Sequence, residues 1–290
     1  MGLCDEVRQS CAAVAATASS VTIDVDRLGE VGPGPEPVLD AARHYLDGSR
    51  EAVAAYLLTL GAINFGSGWF PTLRKRPGCS GYYTVAWALA DHFRFEGPWS
   101  TADLRALDTA TVAGVLDQDQ DHELMALYAR ALNDLGSFLG ERSALDAVEA
   151  AGGSAERLAR QLAAGMPFFE DPGFYKRAQI VPNDLALAGV ADFSDLDRLT
   201  IFADNLVPHV LRVDGVLRYA PSLAARIDAG ELLEPGVEER EIRACAVHAC
   251  ELIAPQLRVV PRVLDTWLWN RGQDARYKAL PRHRTRTVWY

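Results

Sequence analysis

Apolar residues recur along most of this chain at intervals of three and four, the spacing of one helix face. Residues 121–140 show the pattern most fully: Leu124, Leu127, Tyr128, Ala131, Leu132, Leu135, Phe138 and Leu139 form one continuous stripe. Ser100, with Asp103 three residues on, has the form of a capping box, and Leu104, Leu107, Val112, Val115 and Leu116 follow at helical spacing. Ala150-Ala-Gly-Gly-Ser154 stops one helix, and Ser154 is placed to cap another over 155–165. The pattern predicts further helices over 198–213, 220–229, 238–255 and 259–271. Val21–Val25 and Thr285–Tyr290 alternate like strands, each short enough to pair only at an edge. An N-terminal helix is expected before Val31-Gly-Pro-Gly-Pro-Glu-Pro37, which breaks it. The expected organisation is a helix and loop over 1–36, then a single mostly α domain over 37–290. No βαβ alternation, GxGxxG, P-loop, HExxH, GxSxG or long repeat occurs, which argues against Rossmann and barrel arrangements.

Composition narrows the class. The 290 residues are 49% hydrophobic and 23% charged, too apolar for a disordered chain and long enough for one large domain or two small ones. No apolar run reaches the roughly 18 residues of a membrane span. The first residues, Met-Gly-Leu-Cys-Asp-Glu, are acidic where a signal peptide is basic, so a cytoplasmic chain with no membrane partner is expected. The 39 acidic residues outnumber 29 basic ones, a net charge of −10, which disfavours a grip on polymeric nucleic acid but leaves room for a pocket holding one phosphate. Five cysteines at irregular spacing read as reduced thiols. Cys245 and His248 share a helix face but Cys250 turns away, so no metal site is expected there.

Three segments are unusual for a plain helical core. Asn64-Phe65-Gly66-Ser67-Gly68-Trp69-Phe70 ends an apolar helix in a turn followed by two aromatics; it is either a C-cap packing back on the core or an aromatic face for a flat ligand. Tyr175-Lys176-Arg177 precedes Asp184, which shares a face with Lys176 if the helix continues past Pro182. The pair is either a solvated basic turn or an anion site. Asp204 interrupts the apolar run Leu199–Val207 and is either a helix N-cap, a boundary carboxylate with chemical purpose, or both. Asp265, beside Trp267 and Trp269, is either a surface position or an acid among aromatics. His44 and His248 are lone histidines. Arg282-His283-Arg284-Thr-Arg286 is either a salt-bridging surface strand or a source of phosphate contacts through Arg284 or Arg286.

Taken in order, these segments resemble a known family. Asn64-Phe65, Ser80-Gly81-Tyr82, Tyr175-Lys-Arg-Ala-Gln179 with Asp184, Phe202-Ala-Asp204 with Pro208, Gly215-Val-Leu-Arg-Tyr219, Glu241-Ile-Arg243 with His248 and Glu251, and Asp265-Thr-Trp-Leu-Trp269 are similar to the queuosine salvage family, the queuosine 5′-phosphate N-glycosylase/hydrolases. The likeness runs from about residue 40 to Tyr290. One departure is clear: family members carry a compact Asn-Phe-x-Phe-Trp run, whereas Gly66-Ser67-Gly68 here separates Phe65 from Trp69.

The resemblance implies an all-helical fold similar to helix-hairpin-helix DNA glycosylases, and no metal or organic cofactor. It implies a hydrolase that cleaves the N-glycosidic bond of queuosine 5′-monophosphate and frees queuine for tRNA modification. In that chemistry Asp204 and Asp184 are the expected catalytic residues, Asp204 beneath the sugar, with Asp184 and Asp265 holding the donors of the base or its cationic side-chain amine. Phe65 and Phe202 are expected to stack on the base, and Lys176 and Arg177 to bind the phosphate. His44 and Asn64 are expected to line the same pocket. Two rival classes remain: a non-catalytic helical module binding a nucleobase or nucleotide, and a nucleic-acid glycosylase of related fold.

Overall fold

The computed structural model describes all residues, 1–290. Fourteen α-helices follow one another: α1 Leu3–Thr17, α2 Arg50–Ile63, α3 Gly81–Phe95, α4 Thr101–Ala106, α5 Thr109–Val115, α6 Glu123–Leu139, α7 Ala144–Glu149, α8 Ala155–Gly165, α9 Lys176–Leu187, α10 Leu206–Val213, α11 Pro221–Asp228, α12 Val237–Leu257, α13 Pro261–Arg271 and α14 Ala275–Lys278. The only sheet is a two-stranded antiparallel pair, β1 Val21–Ile23 with β2 Leu217–Tyr219, in which Thr22 faces Arg218. The mostly α reading therefore holds. No helix is long and apolar enough to cross a membrane.

Local chemistry explains the helix ends. The expected capping box at α4 is present, with Ser100 and Asp103 bonding reciprocally. Ser143 and Asp146 repeat it at α7, and the Ser154 side chain accepts from Arg157 N–H at the start of α8. The α6 stripe buries Leu124, Tyr128, Leu132, Leu135 and Leu139. Helix α1 buries Leu3, Cys4, Val7 and Cys11, and packs chiefly along α12.

Two expectations about elements are corrected. The helix expected over 198–213 begins only at Leu206; residues 199–205 are irregular, because the Asp204 side chain takes the first free amides of α10 and starts the helix there. Thr285–Tyr290 forms no strand; Thr285, Thr287 and Tyr290 are buried while Arg286 is exposed, and the Tyr290 main-chain oxygen accepts from Gly66 N–H (2.9 Å) and Ser67 N–H (3.4 Å). Its alternation marks a tail with one face against the core. A carbonyl there finds its donors in a turn, with no neighbouring strand.

Candidate active site

The ends of α2, α3, α9, α10 and α13, with the 272–290 segment, enclose a cavity of about 540 Å³. That is ample for a mononucleotide-sized ligand. His44, Asn64, Phe65, Lys176, Asp184, Phe202, Asp204 and Asp265 all line it. Of the expected site residues, Arg177 alone does not.

The turn after α2 is shaped by its glycines. Gly66 has φ +108°, a region side chains avoid, and a Cβ at Gly68 would collide with the Thr285 carbonyl. The turn thus lies flat against the C-terminal tail. Trp69 points away from the cavity: its Nε1–H donates to Glu123 at 2.7 Å and the Arg286 guanidinium covers its ring. Phe70 lines the cavity in its place.

Helix α9 opens under strain. Tyr175 sits at φ 49°, ψ 39°, a left-handed conformation costing roughly 1–2 kcal/mol for a residue with a side chain. Asp171 holds it: its carbonyl accepts from Tyr175 N–H (2.8 Å) and its carboxylate from Lys176 N–H (3.3 Å). The helix passes through Pro182 unbroken, so Lys176 and Asp184, two turns apart, face the cavity together. Arg177 lies about 100° further round the helix and turns into the core. It donates to the carbonyls of Gly61 (3.2 Å), Ala62 (2.7 Å) and Phe168, and it stacks on Phe65 and Phe169. The guanidinium closes the C-terminus of α2, where free carbonyls favour a cation, and it is unavailable to a phosphate.

Asp204 lines the cavity and also caps α10. Its Oδ1 accepts from Leu206 N–H (2.7 Å) and Val207 N–H (3.2 Å), while its Oδ2 takes no hydrogen bond from the protein. Asp265, on α13, accepts from Phe202 N–H at 2.8 Å and so fixes the loop that presents Asp204.

The charges are mutually dependent. Burial pushes Asp265 up to about 7, and the charge of Asp204 adds to the effect. Burial likewise pushes Asp184 up to about 7, against the Asn183 hydrogen bond and the charge of Lys176. Asp184 is half-buried, its remaining surface facing the cavity. Burial brings Lys176 down to about 8, with Asp204 and Asp265 opposing that fall. Near neutral pH the site therefore holds a lysine poised to titrate and two carboxyl groups that can carry protons.

Several lining groups were not legible beforehand. Arg282 makes no hydrogen bond or ion pair with the protein; burial lowers its pKa and Asp204 counters this. The neighbouring arginines are occupied, Arg284 on the Gly230 carbonyl and Arg286 on Glu123. Asn183 donates to Asp184 Oδ1 at 3.2 Å, and its own Oδ1, like Ser67 Oγ, has no protein partner. His44 lies 2.8 Å from the Asp40 carbonyl through Nδ1 and 2.9 Å from the Tyr82 hydroxyl through Nε2. A carbonyl only accepts, so Nδ1 carries the proton. Burial keeps the ring neutral, so Nε2 accepts the Tyr82 proton and leaves the phenolic lone pairs for the cavity. Tyr82 and Tyr83 pack edge-on against Trp269 to form the aromatic wall. Burial and partner supply separate these residues from their chain neighbours, and a sequence shows neither.

Comparison with known proteins agrees with the order of motifs. The family model described as queuosine salvage protein matches residues 44–290. A protein of Sphaerobacter thermophilus named queuosine 5′-phosphate N-glycosylase/hydrolase is 35% identical over 94% of each chain. A Bos taurus protein of the same name is 30% identical over 98% of each chain, and one from Mus musculus is 33% identical over 58% of each. With the family pattern spanning both the walls and the floor of the cavity, this chain belongs to the queuosine salvage protein family.

Proposed function

We propose that this chain hydrolyses the N-glycosidic bond of queuosine 5′-phosphate and releases queuine for salvage. The observation that carries the reading is the set Asp204, Lys176, Asp184 and Asp265 converging on one cavity, with a carboxylate oxygen of Asp204 unclaimed by the protein. Breaking the C1′–N bond leaves positive charge on the sugar. Asp204 Oδ2 stabilises that charge and takes the proton released as the water oxygen bonds to C1′, while the C1′–N electron pair leaves with the base. The charge of Asp204 in turn favours the protonated form of Lys176. A deazapurine lacks the basic N7 of a purine, so its departure depends on donors placed at the ring; Asp184, able to hold a proton near neutrality, supplies one. Asp265 fixes the Phe202 backbone, and Phe65 and Phe202 take the flat base. Asn64, His44 and Tyr82 complete the polar wall.

The phosphate role passes from the Lys176–Arg177 pair to Arg282, because Arg177 is spent on carbonyls and Lys176 faces carboxylates. The net charge of −10 suits a free mononucleotide substrate better than a polymer. Asp204→Asn is the test. It keeps the Oδ1 cap and removes the charge, so turnover should fall by roughly 10²–10³ with folding intact. Near-wild-type release of queuine by that variant, measured by chromatography, would refute the assignment.

A further inference from the structure

We infer that Arg243 is a positioning residue that sets Asp204 and Lys176 against each other. Arg243 lies on α12, fully enclosed, and touches neither the cavity nor any group assigned to substrate. Its Nε–H donates to the Ala203 carbonyl at 2.9 Å, the peptide that leads directly into Asp204. Its other nitrogens bind both oxygens of Asp171, at 3.1 and 2.6 Å, and Glu239 at 3.4 Å. Asp171 in turn takes Lys176 N–H and holds the left-handed Tyr175 that launches α9.

One planar group thus fixes the backbone on both sides of the acid–lysine pair. It is clamped in turn between the rings of Phe174 (3.9 Å) and Tyr290 (4.6 Å), so it has no alternative orientation nearby. Lysine carries the same charge but cannot span Ala203 and both Asp171 oxygens, because it lacks the guanidinium fork. Arg243→Lys keeps a positive charge between Asp171 and Glu239, so the variant isolates what the geometry of the fork contributes.

The inference rests on the reading of Asp204 and Lys176 as the charged pair of the reaction. Its test is a double-mutant cycle of Arg243→Lys with Asp204→Asn, following queuine release and thermal melting together. Arg243→Lys alone should lower kcat by about 10²-fold, the scale of an ångström-level misplacement, with little change in KM. In the Asp204→Asn background the same change should cost at least about tenfold less, since the group being positioned is already disabled. Equal losses in both backgrounds, or a loss confined to KM, would overturn the inference. If Arg243→Lys does not fold, Asp171→Asn with Lys176→Met forms the same cycle from the other side and is read by the same two outcomes. Wild-type protein releasing no queuine would sink the reading of the site itself, an outcome distinct from an active wild type with an unaffected Arg243→Lys.

Discussion

Burying Asp184 makes the folded protein less stable above its ordinary titration range, and the cost can be measured. Burial raises its pKa from 3.8 to about 7. A group raised on folding contributes fully below its unfolded pKa, and that contribution is lost as pH rises through its folded pKa. The penalty therefore grows between about pH 4 and pH 7 and is then constant. At 1.36 kcal/mol for each pKa unit, it reaches roughly 4 kcal/mol at pH 8 and is about 1.7 kcal/mol at pH 5. Water reaching Asp184 through the cavity makes these upper values. Asp184→Asn removes the titration while preserving shape and the Asn183 contact. The variant should gain up to about 2.5 kcal/mol on the parent between pH 5 and pH 8, or about 5 °C in melting temperature for a chain this size. Parallel melts of both proteins across that range, with turnover measured on the same samples, test it. A stability difference that does not change with pH, or a variant that loses stability at pH 8, would refute the argument. The variant should also be slow, since asparagine cannot deliver a proton to the leaving base.

Two arginines give opposite expectations. Arg282→Ala should raise KM for the monophosphate far more than for the free nucleoside and leave the melting temperature nearly unchanged; equal effects on both substrates would remove the phosphate role. Arg177→Met should leave three backbone carbonyls of the core without a donor and cost at least about 3 kcal/mol, visible as a lowered denaturation midpoint. The fraction that remains folded should keep its KM for the monophosphate.

Where a residue's role depends on its helix face, spacing was informative. Lys176 and Asp184 were placed together by a separation of eight, and the α6 stripe and the Ser100–Asp103 capping box followed from local chemistry alone. Arg177 shows the limit. As one of two adjacent cations it is indistinguishable from Lys176 in a sequence, yet a 100° rotation commits it to the core. The basic tail shows the same limit: Arg282, Arg284 and Arg286 differ only in which partner each finds, and two of the three find one. Trp69 was displaced by glycines whose effect depends on what they pack against, the C-terminal tail, 217 residues on from Gly68 at Thr285. Arg243 stood only as part of a recognisable segment and Asp171 not at all, since a buried ion pair between distant residues has no local pattern.

The divided carboxylate of Asp204 has a consequence for how the barrier is lowered. Two amides of α10 grip one oxygen, so the group cannot rotate, and the remaining oxygen keeps a fixed bearing toward the cavity. A freely turning carboxylate would swing toward the sugar only as charge developed there, and its neighbours would rearrange with it. Here that reorganisation is completed when the helix forms, before any substrate arrives. In the proposed reaction, the folding of an eight-residue helix supplies alignment that the chemical step no longer has to provide, and the first turn of α10 joins the group that meets the sugar's charge.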